Sequence, residues 1–305
     1  MKNSMPARPF LKWAGGKSQL IKEIDKNLPE ELAQGKINRY IEPFVGGGAV
    51  FLYIAQLGKV EEFFLWDINP ELVLAYKTIQ KNVEDLIELL LKLQDKYLSF
   101  DVEERKQYFY QIRSQFNLQR QQINFQTYHP DWVERTAHLI FLNRTCFNGL
   151  FRVNSKGEFN VPIGRYKQPK ICHANNLKAV AKILQNTQIH YGDFTDSEAF
   201  VDNRSLVYFD PPYRPLSKTA NFTLYSQENF DDSSQLRLRD FFRVLDKKGA
   251  KLILSNSDPK NEDLTDNFFD AAYAGYQIKR VKAKRTINSN ANQRGQINEL
   301  LIMNY

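Results

Sequence analysis

Three short apolar runs, each closed by an acidic or glycine-rich turn, constrain this chain more than any other feature: residues 39–44, 60–66 and 206–209. Runs of this length between turn residues are the pattern of buried strands. A fourth lies at 251–254 and a fifth at 188–191. Helical patterns separate them, at 49–56 behind a glycine cluster, at 72–79 behind Pro70, and at 233–245. Strand and helix alternate, which predicts an α/β fold with a mainly parallel sheet.

The alternation stops between about residues 83 and 175. Long amphipathic stretches such as 83–98 and 132–147 follow one another there without a strand, so a helical insert is expected at 81–172, within a catalytic domain made of 1–80 and 173–305. The end of the insert differs in pattern. Residues 150–162 place Asn154-Ser155-Lys156-Gly157 between two alternating apolar-polar runs, which predicts a β-hairpin with a polar tip.

A chain of 305 residues with 25% charged and 42% hydrophobic residues can bury a full core and lacks the composition of a disordered protein. The first residues show no signal-peptide pattern and no stretch is long and apolar enough to span a bilayer, so a cytoplasmic protein is expected. Its two cysteines, Cys146 and Cys172, have no metal-ligand spacing, and neither a disulfide framework nor a metal is expected. Net charge is +7, and the excess is clustered. Residues 144–170 carry six cations against the single acid Glu158, and residues 279–294 carry six with none. A solvated basic surface would account for either block alone. Two blocks interleaved with Asn, Ser and aromatic residues point to a polyanion such as nucleic acid.

The glycine cluster Phe44-Val45-Gly46-Gly47-Gly48 follows a predicted strand and opens a helix, where backbone can approach a bound nucleotide closely. It departs from the dinucleotide fingerprint, because Phe51 stands where that pattern needs its last glycine. Asp67, nineteen residues after Gly48, ends the next strand, where a carboxylate can accept both hydroxyls of a ribose. A ribose-containing cofactor is implied, and NAD is not the only one. Gly15-Gly16-Lys17-Ser18 is no phosphate loop, since Leu11 replaces the required glycine. Lys17 is either a surface lysine on a glycine turn or a point charge for a cofactor carboxylate.

Asp210-Pro211-Pro212-Tyr213 is the sharpest motif, because it directly follows an apolar strand at the carboxyl end where α/β sheets bind ligands. Paired prolines fix the path of the chain and donate no N–H, leaving a stiff turn of carbonyls. An exocyclic amine on a base is a poor nucleophile, because its lone pair is delocalised into the ring. Asp210 and the Pro211 carbonyl can each accept one N–H, which frees the lone pair to attack a sulfonium methyl, and Tyr213 can stack on the base. A base inside a duplex must be flipped out to reach such a pocket.

The chain resembles the Dam-type family, the DNA adenine methylases that modify GATC. The resemblance spans Phe10-Leu11-Lys12-Trp13-Ala14-Gly15-Gly16-Lys17, Glu42-Pro43-Phe44-Val45-Gly46, Asn148-Gly149-Leu150, Gly157-Glu158-Phe159-Asn160-Val161-Pro162, Gly164-Arg165-Tyr166-Lys167, Asp210-Pro211-Pro212-Tyr213 and Thr219-Ala220-Asn221-Phe222-Thr223. This order looks like the alpha arrangement of amino-methyltransferases. It implies a Rossmann-like S-adenosylmethionine-dependent methyltransferase fold, with Trp13, Lys17, Asp67 and Asp210 on S-adenosylmethionine and Asp193 and Phe194 at its adenine. It also implies that the hairpin reads double-stranded DNA through Leu150, Arg152, Pro162 and Tyr166. Lys12 would face the first base pair, and Phe147, beside Asn148, would wedge next to the flipped base. An arginine suits guanine O6 and N7, and Leu150 and Pro162 suit a thymine methyl. A monomer would act on each strand of the palindrome in turn.

Rival readings remain at this level. Cytosine N4 is the same kind of conjugated amine, and only the resemblance favours adenine. The hairpin with Arg152 and Tyr166 favours duplex DNA over an RNA or protein substrate. Intact Asp67 and Asp210 speak against a non-catalytic DNA-binding protein with a degenerate methylase fold.

Overall fold

A computed structural model describes residues 6–13, 15–214, 230–284 and 296–305 of the chain. Ala14, the motif Thr219-Ala220-Asn221-Phe222-Thr223 and the cations Arg285 and Arg294 lie outside the described residues. In chain order the elements begin with α1 (Ile21–Asp25), α2 (Glu30–Ala33), β1 (Arg39–Glu42), α3 (Ala49–Gln56) and β2 (Glu62–Asp67). The helices α4 (Pro70–Ser99), α5 (Val102–Gln119), α6 (Asp131–Thr145) and α7 (Ala174–Leu184) follow. Then come β3 (Thr187–Tyr191), β4 (Ser205–Phe209), α8 (Asp232–Lys247), β5 (Lys251–Ser257), α9 (Phe268–Ala272), β6 (Gln277–Lys284) and β7 (Gln296–Met303).

The strands order as β3-β2-β1-β4-β5-β7-β6. β1 pairs in parallel with β2 and β4, and β4 with β5, while β7 runs antiparallel to β5 and β6. The mainly parallel α/β sheet is therefore as expected. The antiparallel pair at the C-terminal end is an addition the alternation did not foretell. Chain order reverses between β1 and β4, and their carboxyl ends are the topological switch point at which open sheets of this kind bind ligands.

Two compact units share the chain. The first comprises Met1–Gly16, Gly46–Leu52 and Asp67–Tyr191, the second Lys17–Val45, Tyr53–Trp66 and Gly192–Tyr305. Within the first, Leu86, Leu90, Leu93 and Tyr97 recur on α4 at helical spacing and are buried, as are Phe109, Ile112 and Phe116 of α5. Asn69 caps α4 through its side chain, with Pro70 opening the helix, and Asp101 and Glu104 form a capping box on α5. Asn82 takes non-helical angles (φ −138, ψ 46) inside α4, and this kink is why the sequence pattern breaks into 72–79 and 83–98. Arg135 is fully buried and meets Glu71 with two nitrogens, Nε at 2.8 Å, while its Nη1 donates to the Phe116 carbonyl at 2.9 Å. Removing one partner of such a pair leaves an uncompensated buried charge.

The second unit packs an apolar core of Ile41, Val207, Phe209, Leu252, Leu254 and Ile302 from its strands against Leu238, Phe241, Phe242 and Leu245 of α8. Inward-facing residues of parallel strands read as near-continuous apolar runs because both faces are covered, and all five residues of β4 are buried.

Candidate functional sites

In the second unit, the loop leaving β4 is fastened residue by residue. Lys17 is 5% exposed, and its ammonium meets Asp210 Oδ1 at 2.7 Å. Ser255 Oγ on β5 donates to the same oxygen at 3.3 Å. Both partners use Oδ1, and among the described residues no hydrogen bond reaches Oδ2. Gln235 of α8 donates to the carbonyl of Pro212, at 3.0 Å, rather than to that of Pro211. Asn256 holds Gln235 Oε1 at 3.1 Å and accepts from the Arg214 N–H at 3.2 Å. Tyr213 donates its hydroxyl to Glu299 Oε2 at 2.6 Å, and its ring lies 4.4 Å from the Lys17 ammonium. Arg214 closes the segment with ion pairs to Asp232 and Asp266, each at 2.6 Å.

Burial raises the Asp210 carboxyl above its ordinary value, and Lys17 opposes that rise. Burial, with Asp210 and Glu299 nearby, lifts the Tyr213 phenol well above its ordinary value, so it stays protonated and donates. The result is a carboxylate with one oxygen committed and one in reserve, on a loop whose path the two prolines fix. Lys17 thus sits on Asp210, a partner the sequence did not suggest for it.

The same unit brings Phe44 and Phe194 together, with rings stacked at 5.3 Å. The Arg237 guanidinium lies 4.5 Å from the Phe194 ring and grips both carboxylate oxygens of Asp193, reaching Oδ2 at 3.1 Å. Asp193 also caps the turn after it, accepting from the Thr195 N–H at 3.0 Å.

In the first unit, Gly46 donates its N–H to Asp67 Oδ2 at 2.9 Å, and Asn69 donates to Oδ1 at 2.8 Å. Each carboxylate oxygen has two lone pairs, so one per oxygen remains for further donors. Burial pushes the Asp67 carboxyl up to about 6, against the pull of these two backbone bonds. The glycines have a packing reason as well. Gly46 and Gly48 have φ of +48 and +68, and a Cβ would stand 3.1 Å from Trp13 Cδ1 at Gly46 and 2.4 Å from the Tyr76 hydroxyl at Gly48. The sequence suggested close approach by a nucleotide, and here two aromatic side chains make that approach.

Trp13 stacks on Phe151 at 5.4 Å, so the expected cofactor tryptophan also braces the predicted hairpin. Asn143, buried on α6, accepts from the Lys12 N–H at 2.8 Å and donates to the carbonyls of Lys12 and Gly149, each at 2.8 Å. The Lys12 stem lies against Gly149, where a Cβ would be 2.3 Å from Lys12 Cδ. Its ammonium reaches the Tyr166 hydroxyl at 3.3 Å and lies 4.4 Å from that ring. Asn148 is the one non-glycine residue with positive φ (55) among the described residues, and beside it Phe147 is 51% exposed. Asparagine tolerates this region better than other non-glycine residues, which explains Asn-Gly at the turn.

The predicted hairpin is shorter and less regular than its alternation promised. It holds through the isolated bridges Val153↔Phe159 and Cys146↔Ile163 and through Asn154, whose Oδ1 accepts from the Lys156 and Glu158 N–H groups. Aromatic packing of Phe159 on Phe116 and Phe151 replaces the missing ladder. Arg152 and Pro162 are exposed and Leu150 half-buried. Arg152 Nε is fixed by Asn160 at 2.8 Å, and among the described residues no hydrogen bond engages its terminal nitrogens.

Of the second basic block, Arg280 is engaged by Asp258 at 3.0 Å and by Asp270 at 2.8 and 2.9 Å, and Lys279 donates to Asn27 at 2.6 Å. Lys282 is exposed. No helix among the described residues is long and apolar enough to cross a membrane.

A switch-point sheet bearing an acidic, double-proline, aromatic loop at the end of β4 defines a methyltransferase class that acts on a conjugated amine. The chain matches the family described as D12 class N6 adenine-specific DNA methyltransferase over residues 13–287, and it belongs to that family. It is 51% identical to the type II methyltransferase M.MjaIII of Methanocaldococcus jannaschii over 302 residues, covering 99% of this chain and 100% of that protein. It is 39% identical to the type II methyltransferase M1.LlaDCHI of Lactococcus lactis subsp. cremoris, covering 100% and 98%. Identity to the DNA adenine methylase of Escherichia coli K12 is 35%, covering 97% and 95%. The protein is a DNA methyltransferase that modifies adenine at N6, which excludes the cytosine and non-catalytic readings.

Proposed function

We propose that the methyl donor is S-adenosylmethionine, that the target is the adenine of GATC in double-stranded DNA, and that the adenine is flipped out of the duplex for reaction. The observation that carries the catalytic half is the division of labour within Asp210, one oxygen held by Lys17 and Ser255 and the other in reserve. Its Oδ2 accepts one N–H of the adenine amine, and the Pro211 carbonyl accepts the second. Holding both N–H groups turns the nitrogen toward tetrahedral geometry and directs its lone pair outward. When bound, S-adenosylmethionine supplies a methyl group made electrophilic by its sulfonium. The methylated nitrogen loses its proton readily, so no strong base is required. Tyr213 offers a ring face to the extruded base.

The fit of the cofactor rests on Asp67. A half-buried carboxylate with a raised pKa and spare lone pairs gains from two more donors, and a ribose provides them. Trp13, Phe44, Gly46, Gly48, Asp193 and Phe194 complete the proposed cofactor contacts. The backbone and ring beside Asp193 are better placed for this than its carboxylate, which Arg237 already holds. Lys17, gripping Asp210, serves the catalytic loop first.

Base reading falls to the segment within 81–172, the proposed target-recognition domain. Arg152 has terminal nitrogens suited to guanine O6 and N7, Leu150 and Pro162 offer apolar contact, and Lys12 with Tyr166 forms a fixed donor pair for the leading base pair. Phe147, exposed on a strained Asn-Gly turn, has the ring area to fill the gap left by the adenine. Each strand of the palindrome is visited separately by a monomer in the cytoplasm. Competition measures this reading directly: a GATC duplex should displace a labelled GATC duplex far better than duplexes differing at one base pair. Equal displacement by all of them would remove the hairpin from base recognition.

A further inference from the structure

Tyr213 is tied down at two points. Its hydroxyl donates to Glu299 Oε2 at 2.6 Å, and one face of its ring carries the Lys17 ammonium at 4.4 Å from the centroid. Lys17 in turn holds Asp210 at 2.7 Å. Glu299 stands on β7, paired in register with Ser257 of β5 and Val281 of β6, so its backbone is fixed by strands on both sides. Stacking on a base needs ring area and not a hydroxyl, and phenylalanine would stack as well. The hydroxyl therefore has a different purpose from the ring.

We propose that Glu299 is a positioning residue for methyl transfer: by accepting the Tyr213 hydroxyl it fixes the plane of the ring that receives the target adenine. Lys17 takes one face of the ring, which leaves the opposite face as the one to meet a base, and the hydrogen bond sets its tilt. A ring free to tilt would still capture the base but would present its amine to Asp210 in the right geometry for a smaller share of the time. Glu299 acts through the Tyr213 hydroxyl, so its effect falls on the rate of the chemical step and not on affinity for DNA.

This inference rests on the reading that Tyr213 meets the target base, and the experiment separates the two. Single-turnover methylation of a duplex with one GATC site is measured with S-adenosylmethionine for the wild type, Glu299→Ala, Glu299→Gln, Tyr213→Phe, Tyr213→Ala and the Glu299→Ala/Tyr213→Phe double variant. DNA affinity and thermal unfolding are recorded for each. A hydrogen bond to a charged acceptor predicts a loss of about tenfold or more in rate for Glu299→Ala and for Tyr213→Phe, with DNA affinity unchanged. Glutamine retains a carbonyl acceptor and should keep the rate within about threefold of the wild type. The double variant should be no slower than the slower single one, because both remove the same bond. Full activity of Glu299→Ala, additive losses in the double variant, or a Glu299→Gln as slow as the alanine would overturn the proposal. Should Glu299→Ala fail to fold, Tyr213→Phe and Glu299→Gln decide it alone. Full activity of Tyr213→Ala would instead sink the base-capture reading, whatever Glu299 does.

Discussion

The proposed catalytic loop and the proposed reading segment are built on opposite plans. From Asp210 to Arg214 nearly every residue is pinned by a side chain from another element: Lys17 and Ser255 at Asp210, Gln235 at Pro212, Glu299 at Tyr213, and Asn256, Asp232 and Asp266 at Arg214. The segment from Cys146 to Tyr166 has two isolated bridges and leaves Phe147, Arg152 and Pro162 exposed. Chemistry on an amine requires an acceptor already in place before the substrate arrives, because ordering it during reaction would raise the barrier. Reading a base edge requires long side chains with open donors, and those can be ordered by the DNA itself.

Substitutions should divide along the same line. Asp210→Ala removes the reserve oxygen and should slow methyl transfer by about a hundredfold or more while DNA binding persists, as a rapid-quench assay beside a binding titration would show. A variant with wild-type turnover would make the loop mere scaffolding. Arg152→Ala should leave the rate on GATC and the cofactor affinity nearly intact, and relax discrimination at one G·C pair by about 1–3 kcal/mol. Equal slowing at every site would place Arg152 on the rigid side of the comparison.

Asp67 sharpens the contrast through pH. Its carboxyl titrates at about 6, and only the ionised form can accept two ribose hydroxyls. Cofactor affinity should therefore fall as pH drops through that value, by up to about tenfold per unit below it. The linked stability has the opposite sign. A carboxylate whose folded-state value is raised costs the free protein stability above about 6, and the cost vanishes as pH falls toward the ordinary carboxylate range. Asp67→Asn should weaken binding at neutral pH and flatten both profiles, which calorimetric titration and thermal unfolding across pH 5–8 would test.

The smallest effect belongs to the basic strand β6. Lys282 is exposed and Arg280 is spoken for by two aspartates. Replacing Lys282 by alanine should lower the slope of log affinity against log salt by about one, without altering the sequence methylated, while Arg280→Ala should leave the slope unchanged. An unaltered slope for Lys282 would take the strand out of the DNA interface.

The catalytic loop was legible because its signal is local: an apolar strand, an acid, two prolines and an aromatic stand in consecutive positions. Its supports were not. Tyr213 and Glu299 lie 86 residues apart, and nothing in the neighbourhood of either announces the other. The apolar run at 251–254 predicts a strand that stops at Leu254, yet β5 continues through Ser255, Asn256 and Ser257, all buried. Polar residues ended the run in the hydrophobic pattern, but here they are the posts that hold Asp210, Gln235 and Arg214. Asn143 escaped for the same reason, a polar residue inside an apolar helix, which the pattern treats as noise and the structure uses to tie Lys12 to the Asn148-Gly149 turn. The hairpin is legible as a turn, through Asn154 and Gly157, but its ladder shrinks to single bridges because the alternating aromatics Phe151 and Phe159 mainly serve packing, Phe159 pairing with Val153 alone.

The most direct measurement of the central claim is to express the chain in a host lacking DNA methylation and to map modified adenines across the genome by single-molecule sequencing. If the loop transfers the methyl group and the segment reads GATC, N6-methyladenine appears on both strands of nearly every GATC and almost nowhere else. With Arg152→Ala, it predicts additional marks at sites one base removed. Methylation confined to an unrelated motif, with Arg152→Ala changing its extent but not its position, would contradict the base-reading role and leave only the catalytic loop as described.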